Sequence, residues 1–469
     1  MTLTANQRIT RLEKQLAEVE AKLEAALERI EELEAKLKQS SSNSSKPPSS
    51  DPWWKNRPKK PRRQKGKRKQ GGQKGHTGHR RVLLPPEQVR HIVDVHPENC
   101  QHCGSSQLIA EGAEPLRHQV TDIPIVEPFT DEWRQHLGYC PDCGKTTRAA
   151  LPPGVPRSNF GHGLTALVAL LTGVYRVGKR GVQQFLLDLF NVAMSLGGVS
   201  NCERQVSEAL ETPFDEARDH VQQQSTAHAD ETGWRERSQK LWLWVMATTW
   251  VSVFYILPGR TKKCAQYVIG GFQGILVSDR YKSYLFYTMG KRQICWAHLA
   301  REFVGFSERG GVTGDIGDDL LKLIQKMFEW WDELGDGKIS RATFRRRMRP
   351  VRRDVEEFLE MGKEQSSQSG KFKDILKHRD ALWTFVNVEG VEPTNNHAEQ
   401  QVRHAVLIRK ISGGTQSERG SRFIERMLTT VASLRKQRRN IHAFLTEACE
   451  ARTRNTPPPS LITPRASNI

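Results

Sequence analysis

Three acidic residues, Asp230, Asp279 and Glu399, lie far apart along the chain, and each stands in a setting that can aim it at a shared point. Carboxylates brought together repel one another unless a cation neutralises them. Hard divalent ions, Mg²⁺ or Mn²⁺, take oxygen ligands of this kind and keep open positions for phosphate oxygens. Two such ions roughly 3.5–4 Å apart can activate a water or a 3′ hydroxyl and stabilise the leaving oxygen of an in-line displacement. Taken singly, each acid has a plainer use. Glu399 can pair with Arg403 one turn on, Asp279 can cap a following helix, and Glu231 competes with Asp230 for the first position.

A second group of residues points to a different metal. Cys100-Gln101-His102-Cys103 and Cys140-Pro141-Asp142-Cys143 are separated by 36 residues, and each pair is followed by a glycine, Gly104 or Gly144. Four thiolates, Cys100, Cys103, Cys140 and Cys143, complete a closed tetrahedral site for structural Zn²⁺ with no open position for catalysis. A dithiol redox pair is the alternative, but nothing nearby resembles a redox fold. His91, His96 and His102 can substitute as ligands, although the cysteines suffice. The intervening length implies inserted strands.

The elements that must position these residues follow from periodicity. Ile275-Leu276-Val277 is a short apolar run, which reads as a central strand with Asp279 at its end, where open sheets usually place their chemistry. Leu241 to Ala247 and Val251 to Leu257 alternate as strands joined by Thr248-Thr249-Trp250, with Asp230 on the segment before them. Pro393-Thr394-Asn395-Asn396 is a helix start, so Glu399 belongs to the first turns of that helix. Cys295-Trp296-Ala297-His298 joins a short strand to a helix.

Around this block stand modules of other kinds. Residues 1–39 carry a heptad of Ile9, Leu12, Leu16, Val19, Leu23, Ala26, Ile30, Leu33 and Leu37, which argues for a coiled coil, with an amphipathic helix docked on its own chain as the alternative. A Ser- and Pro-rich linker follows, and residues 55–81 hold thirteen lysines and arginines and no acid. Within that arm Lys59, Lys60, Arg62, Arg63, Lys67, Arg68 and Lys69 are candidate phosphate contacts; a solubilising tail is the bland reading. Helices are predicted over Gly163–Tyr175, Gly181–Phe190 and Val199–Leu210. They form either a helix-turn-helix presenting Asn201, Arg204 and Gln205 to DNA or an interdomain platform. Residues 307–377 read as a polar helical insertion with seven arginines between Arg341 and Arg353, either a solvated face or another phosphate surface. Arg403 to Arg439 is basic again, with Arg403, Arg409 and Lys410 as candidate DNA contacts, and residues 453–469 read as disordered.

The fold class is therefore multidomain α+β. Its parts are a coiled coil (1–39), a flexible linker and basic DNA-binding arm (40–88), a zinc-binding domain (89–150), a helical, helix-turn-helix-like domain (151–222), a catalytic domain (223–412) and basic C-terminal helices with a tail (413–469). A formal charge of +19 favours a polyanionic partner, nucleic acid before membrane. No run reaches the ~18 apolar residues of a spanning helix. The two CxxC pairs favour a reduced compartment, and the expected location is cytoplasmic and nucleoid-associated.

The order and spacing of these motifs carry a resemblance. The leucine-rich coil, Asn43-Ser44-Ser45-Lys46-Pro47-Pro48-Ser49-Ser50, Gly71-Gly72-Gln73-Lys74-Gly75-His76 and the two CxxC pairs come first. Asp230-Glu231-Thr232, Ser278-Asp279-Arg280-Tyr281, Cys295-Trp296-Ala297-His298, Asn395-Asn396-His397-Ala398-Glu399 and Arg409-Lys410 follow. Together they resemble a DDE-type insertion-sequence transposase, most closely the insertion sequence 66 family. Arg280 and Lys282 depart from the small residues usual there, and Gln400 from the usual arginine. The resemblance implies a ribonuclease H-like α/β catalytic domain with a helical insertion before the third acid. It implies Asp230, Asp279 and Glu399 as catalytic residues holding Mg²⁺ or Mn²⁺, with Cys295 and His298 supporting them. The implied partners are double-stranded DNA, as element terminal repeats and target, a second copy of the chain, and accessory element-encoded proteins. The competing functions are a non-catalytic DNA-binding repressor and a structure-specific nuclease on the same fold.

Overall fold

The computed structural model describes residues 5–44, 82–109, 112 and 114–462, which fall into two units, residues 52–128 and the rest of the chain. The seven candidate phosphate contacts between Lys59 and Lys69 lie outside the described residues. In the 52–128 unit the described backbone forms no regular element apart from a 3₁₀ turn at Pro86–Gln88 and a tight turn at Cys100. Among the described residues no strand forms between the two CxxC pairs before Leu137, contrary to the expectation of inserted strands. Pro115, Pro124 and Pro128 withhold the N–H groups that a ladder there would need.

In the other unit, α1 (Ala5–Lys38) is one helix of 34 residues. Its stripe stands at the surface, with Leu16 and Leu23 exposed to 60% and 59%, so these side chains are not docked on their own chain. Next, β1 (Leu137–Cys140) and β2 (Lys145–Arg148) form a hairpin whose turn carries Cys140 and Cys143.

The helical block is α2 (His162–Gly173), α3 (Lys179–Phe190), α4 (Leu196–Ala209) and α5 (Glu211–Gln222). Ser195 caps α4, its Oγ accepting from the Gly198 N–H at 3.0 Å. Arg204 donates to Glu208 at 2.9 Å and to Asn201 Oδ1 at 2.6 Å, so two of the three residues expected to face DNA hold each other. With Val199, Cys202 and Val206 buried, α4 packs on α2 and α3.

The sheet contains β3 (Thr226–Glu236), β4 (Gln239–Ala247), β5 (Ser252–Leu257), β6 (Ile275–Ser278) and β7 (Arg292–Ile294). Their spatial order is β5-β4-β3-β6-β7; the first three are antiparallel neighbours, while β3, β6 and β7 run parallel. Between β5 and β6 lies α6 (Lys262–Ile269), and α7 (Trp296–Ser307) follows β7 directly. The insertion comprises α8 (Gly311–Gly335), α9 (Arg341–Gln365) and α10 (Ser369–Leu376), with two single turns, α11 (Arg379–Leu382) and α12 (Thr384–Asn387).

The insertion is less polar than its arginines imply. Phe303, Phe306, Leu320, Met327, Phe344 and Phe372 build a core continuous with Val277 and Ile294 of the sheet. Arg347 pairs with Glu333 at 2.6 Å, and Arg341 and Arg345 donate to backbone carbonyls at the end of α12 and just beyond it. Arg280, just past β6, pairs with Glu302 of α7 and, at 2.7 Å, with Asp374 of α10, which ties the strand end to the insertion.

After the insertion come α13 (Asn396–Ser412), α14 (Glu418–Lys436) and α15 (Ile441–Arg454). The region expected to stand apart from residue 413 onward instead completes the sheet's core through Phe423, Met427, Leu434, Phe444 and Leu445. It also closes an edge. The β5 N–H groups of Ser252, Phe254 and Ile256 donate to Ser433 Oγ at 3.2 Å, Thr429 Oγ1 at 3.0 Å and Glu425 Oε1 at 2.5 Å. Four helical residues rise about 6 Å and two strand residues about 6.6 Å, so one helix face matches every outward N–H of the edge. Residues 455–462 are likewise ordered, contrary to the expected disorder from 453. Leu461 is fully buried and its N–H donates to Glu216 at 2.8 Å.

Candidate active site

Sheet register brings the acids together. Parallel pairing sets His228 of β3 beside Val277 of β6, and the same offset (277 − 228 = 279 − 230) carries Asp230 to the level of Asp279. Ser278 sits beside Ile294 of β7, so Asp279 in turn stands level with Cys295. Adjacent strands lie ~4.8 Å apart and residues in one row point to one face. Asp230, in the middle of the long strand β3, is therefore in a row with Asp279 and Cys295, which directly follow β6 and β7. Asp279 Oδ1 is fixed by the Tyr281 N–H at 2.9 Å, a local turn rather than a helix cap.

Glu399 enters from the first turn of α13, on the face to which the row points. Its Oε1 lies 3.4 Å from His298 Nδ1, 3.8 Å from Arg301 Nη2 and 4.0 Å from Cys295 Sγ. The plainer pairing with Arg403 is thus replaced by contacts from α7. Burial pushes the Cys295 thiol up to about 11 and, with the Arg301 charge, lowers His298, so both are neutral near pH 7.

Asn395, buried just ahead of α13, ties these parts to one another. Its N–H donates to Cys295 Sγ at 3.2 Å, its Nδ2 donates to the Ala229 carbonyl at 2.8 Å, and its Oδ1 lies 3.2 Å from His228 Nδ1. Residue 395 reads as a cap from sequence, but the side chain makes no capping bond to α13. Only tertiary placement shows its use.

Glu231 points to the opposite face. It is 8% exposed, accepts from Tyr284 Oη and is paired with Arg260, whose guanidinium lies 3.4 Å from the centre of the Tyr281 ring. Arg260 also reaches Asp279 Oδ2 at 3.5 Å. Behind the row, fully buried Arg292 donates to the Asp279 carbonyl and to Ser278 Oγ, each at 3.0 Å. Arg260, Tyr284, Arg292 and Arg301 carried no periodic or motif signal, because their roles depend on chain crossings.

Electrostatics give the acid cluster its chemistry. Burial, and then the charges of Glu231, Asp279 and Glu399, raise the Asp230 carboxyl well above the usual range. A divalent cation drawn in by Asp230, Asp279 and Glu399 would relieve that repulsion, and carboxylate oxygens are the donors that a hard ion takes.

A family model described as Transposase IS66 family matches residues 157–423, more than half of the chain, including all three acids. The chain belongs to the IS66 transposase family. Membership implies transposition, DNA as partner and use of a divalent metal. A second model, of a family of unknown function, matches residues 3–82. No curated protein matches the chain. No helix among the described residues of this IS66 family member is long and apolar enough to cross a membrane.

The two CxxC turns are built alike: Gly104 N–H donates to the Cys100 carbonyl at 2.8 Å and Gly144 N–H to the Cys140 carbonyl at 2.9 Å. Both glycines have positive φ, 77° and 65°, which side chains resist. Turn N–H groups of His102 and Cys103 lower the Cys100 thiol, and those of Cys143 and Asp142 lower Cys140, which suits thiolate ligation of zinc. Of the C-terminal cations, Arg403 and Lys410 are exposed, whereas Arg409 donates to the Gly233 carbonyl and to Thr232 Oγ1 at 3.3 Å.

Proposed function

We propose that this chain is a DNA transposase that binds the ends of its element, hydrolyses a phosphodiester bond there, and joins the freed 3′ hydroxyl to target DNA. The observation that carries the reading is the row of Asp230, within β3, and Asp279, just past β6, with Glu399 brought over it by α13. The sheet order β5-β4-β3-β6-β7, antiparallel then parallel, supports a ribonuclease H-like fold, with the helices between α7 and α13 as its insertion.

In this reading Asp230, Asp279 and Glu399 hold Mg²⁺ or Mn²⁺. Such ions, when bound in a pair, lower the barrier to attack by a water or 3′ hydroxyl and stabilise the departing oxygen. The rest belongs to the chain. Neutral His298 and Cys295 orient Glu399 Oε1, Asn395 fixes the start of α13 against β3, and Arg292 holds the backbone of Asp279. Hydrolysis leaves a 3′ hydroxyl on the element end. That oxygen then attacks a target phosphate, and the target's own 3′ oxygen departs.

Arg403, Lys410 and the basic arm are read as DNA contacts, the two CxxC turns as zinc-binding elements, and the exposed stripe of α1 as the seam that pairs two copies. Incubation of the purified chain with Mg²⁺ and a plasmid carrying its terminal repeats tests the reading. Cuts at the repeats with joined products are expected. No cutting supports the repressor, and cutting without end preference or joining supports the nuclease.

A further inference from the structure

A second cluster of metal-binding side chains lies on the same face of the sheet, outside the acid triad. His228, Glu392 and His397 each place one ligand atom within 4.8 Å of the other two. His228 is on β3, two residues before Asp230 and therefore on the same face; Glu392 and His397 flank the start of α13. His397 Nε2 and Glu392 Oε1 are 3.1 Å apart, and the two imidazoles meet edge to face with centroids 4.9 Å apart.

The surrounding hydrogen bonds prepare His228 for ligation. Asn395 Nδ2 donates to the Ala229 carbonyl at 2.8 Å, so Asn395 Oδ1 is the atom facing His228 Nδ1 at 3.2 Å. An amide oxygen can only accept. His228 Nδ1 must therefore carry the proton, which leaves the lone pair on Nε2. A metal-bound histidine has this arrangement, with its second nitrogen donating to an oxygen that fixes the ring. His228 is 5% exposed, whereas His397 and Glu392 are half-buried, so the cluster has a closed floor and an open side.

We infer that His228, Glu392 and His397 bind one divalent transition-metal ion of the zinc class, clasping the start of α13 to β3. Two imidazoles and a carboxylate suit such ions, whereas the all-oxygen triad suits Mg²⁺. Metal–ligand bonds of about 2.0–2.1 Å separate tetrahedral ligand atoms by roughly 3.4 Å. The histidine–glutamate pair, at 3.1 Å, is close to this, and the His228 ligand atom lies within 4.8 Å of both. The ion holds Asn395 and the first turn of α13, and so sets the height of Glu399 over Asp230. The inference does not rest on the transposase reading, because the ion is counted whether or not DNA is cut.

The test uses the full chain, equilibrated with zinc, freed of loose metal and analysed for zinc per chain. Wild type is expected to hold one zinc more than either Glu392→Gln or His397→Ala, with unchanged circular dichroism. Equal zinc in wild type and folded Glu392→Gln overturns the site. X-ray absorption of the zinc-loaded wild type decides independently of any variant. A nitrogen and oxygen shell beside the sulfur shell is expected, and sulfur alone overturns the assignment.

Discussion

Asp230 and Glu231 are neighbours with opposite duties. The alternation of β3 sends Asp230 toward α13 and Glu399, and sends Glu231 into the opposite layer, where Arg260 and Tyr284 hold it. Burial and the Asp279 charge raise Glu231 to about 7, against the pull of Arg260. Truncating Glu231 leaves the buried Tyr284 phenol without its acceptor and Arg260 with only the longer contact to Asp279. Glu231→Ala should therefore cost about 2–3 kcal/mol in denaturant unfolding, while Asp230→Asn should unfold much as wild type yet fail to cleave DNA. A stable, cleavage-competent Glu231→Ala would contradict the structural role. From sequence, both acids were candidates and the family resemblance favoured Asp230. The physical reason, strand parity, needed the register of β3 against β6. Glu399 was legible from its helix start, but Asn395 was not, because its side chain serves β3 rather than its own helix.

At the scale of elements, the clamp of α14 on β5 closes one edge of the sheet. An edge strand with free N–H groups is a template for pairing with other chains, and Glu425, Thr429 and Ser433 remove that hazard. Thr429 is fully buried, so Thr429→Val keeps the shape but leaves the Phe254 N–H without its acceptor. A loss of about 1–3 kcal/mol is expected in urea titrations.

Glu425 adds a pH dependence. Burial pushes it up to about 7 from 4.5, so the folded chain takes up a proton that the unfolded chain releases. Its contribution is fully present below about 4.5 and is lost as pH rises through about 7. Melting temperatures of Glu425→Gln should accordingly gain on wild type between pH 5 and 8; a difference that stays constant or shrinks would refute the assignment. The alternation of β4 and β5 was legible because both strands are long enough to repeat. The clamp was not, since its three polar residues look like ordinary solvent-facing positions until β5 is beside them. The insertion misled for the opposite reason, its arginines hiding a core of Leu320, Phe344 and Phe372.

At the scale of the whole molecule, α1 displays an apolar stripe that its own chain does not cover at Leu16 or Leu23. Deleting residues 1–39 should convert a dimer into a monomer in sedimentation analysis while leaving the thermal transition of the sheet unit in place. An unchanged mass would exclude α1 as the seam. Paired subunits would let two element ends be processed together, the organisation in which the charge of +19 and the acid cluster serve one reaction. The claim on which this rests is that Asp230, Asp279 and Glu399 form one metal-dependent centre. It is tested most directly by comparing wild type with Asp279→Asn in one assay that reads both binding and cleavage of a labelled terminal repeat in Mg²⁺. The account predicts retained binding and abolished cleavage for the variant; cleavage at the wild-type rate would contradict it.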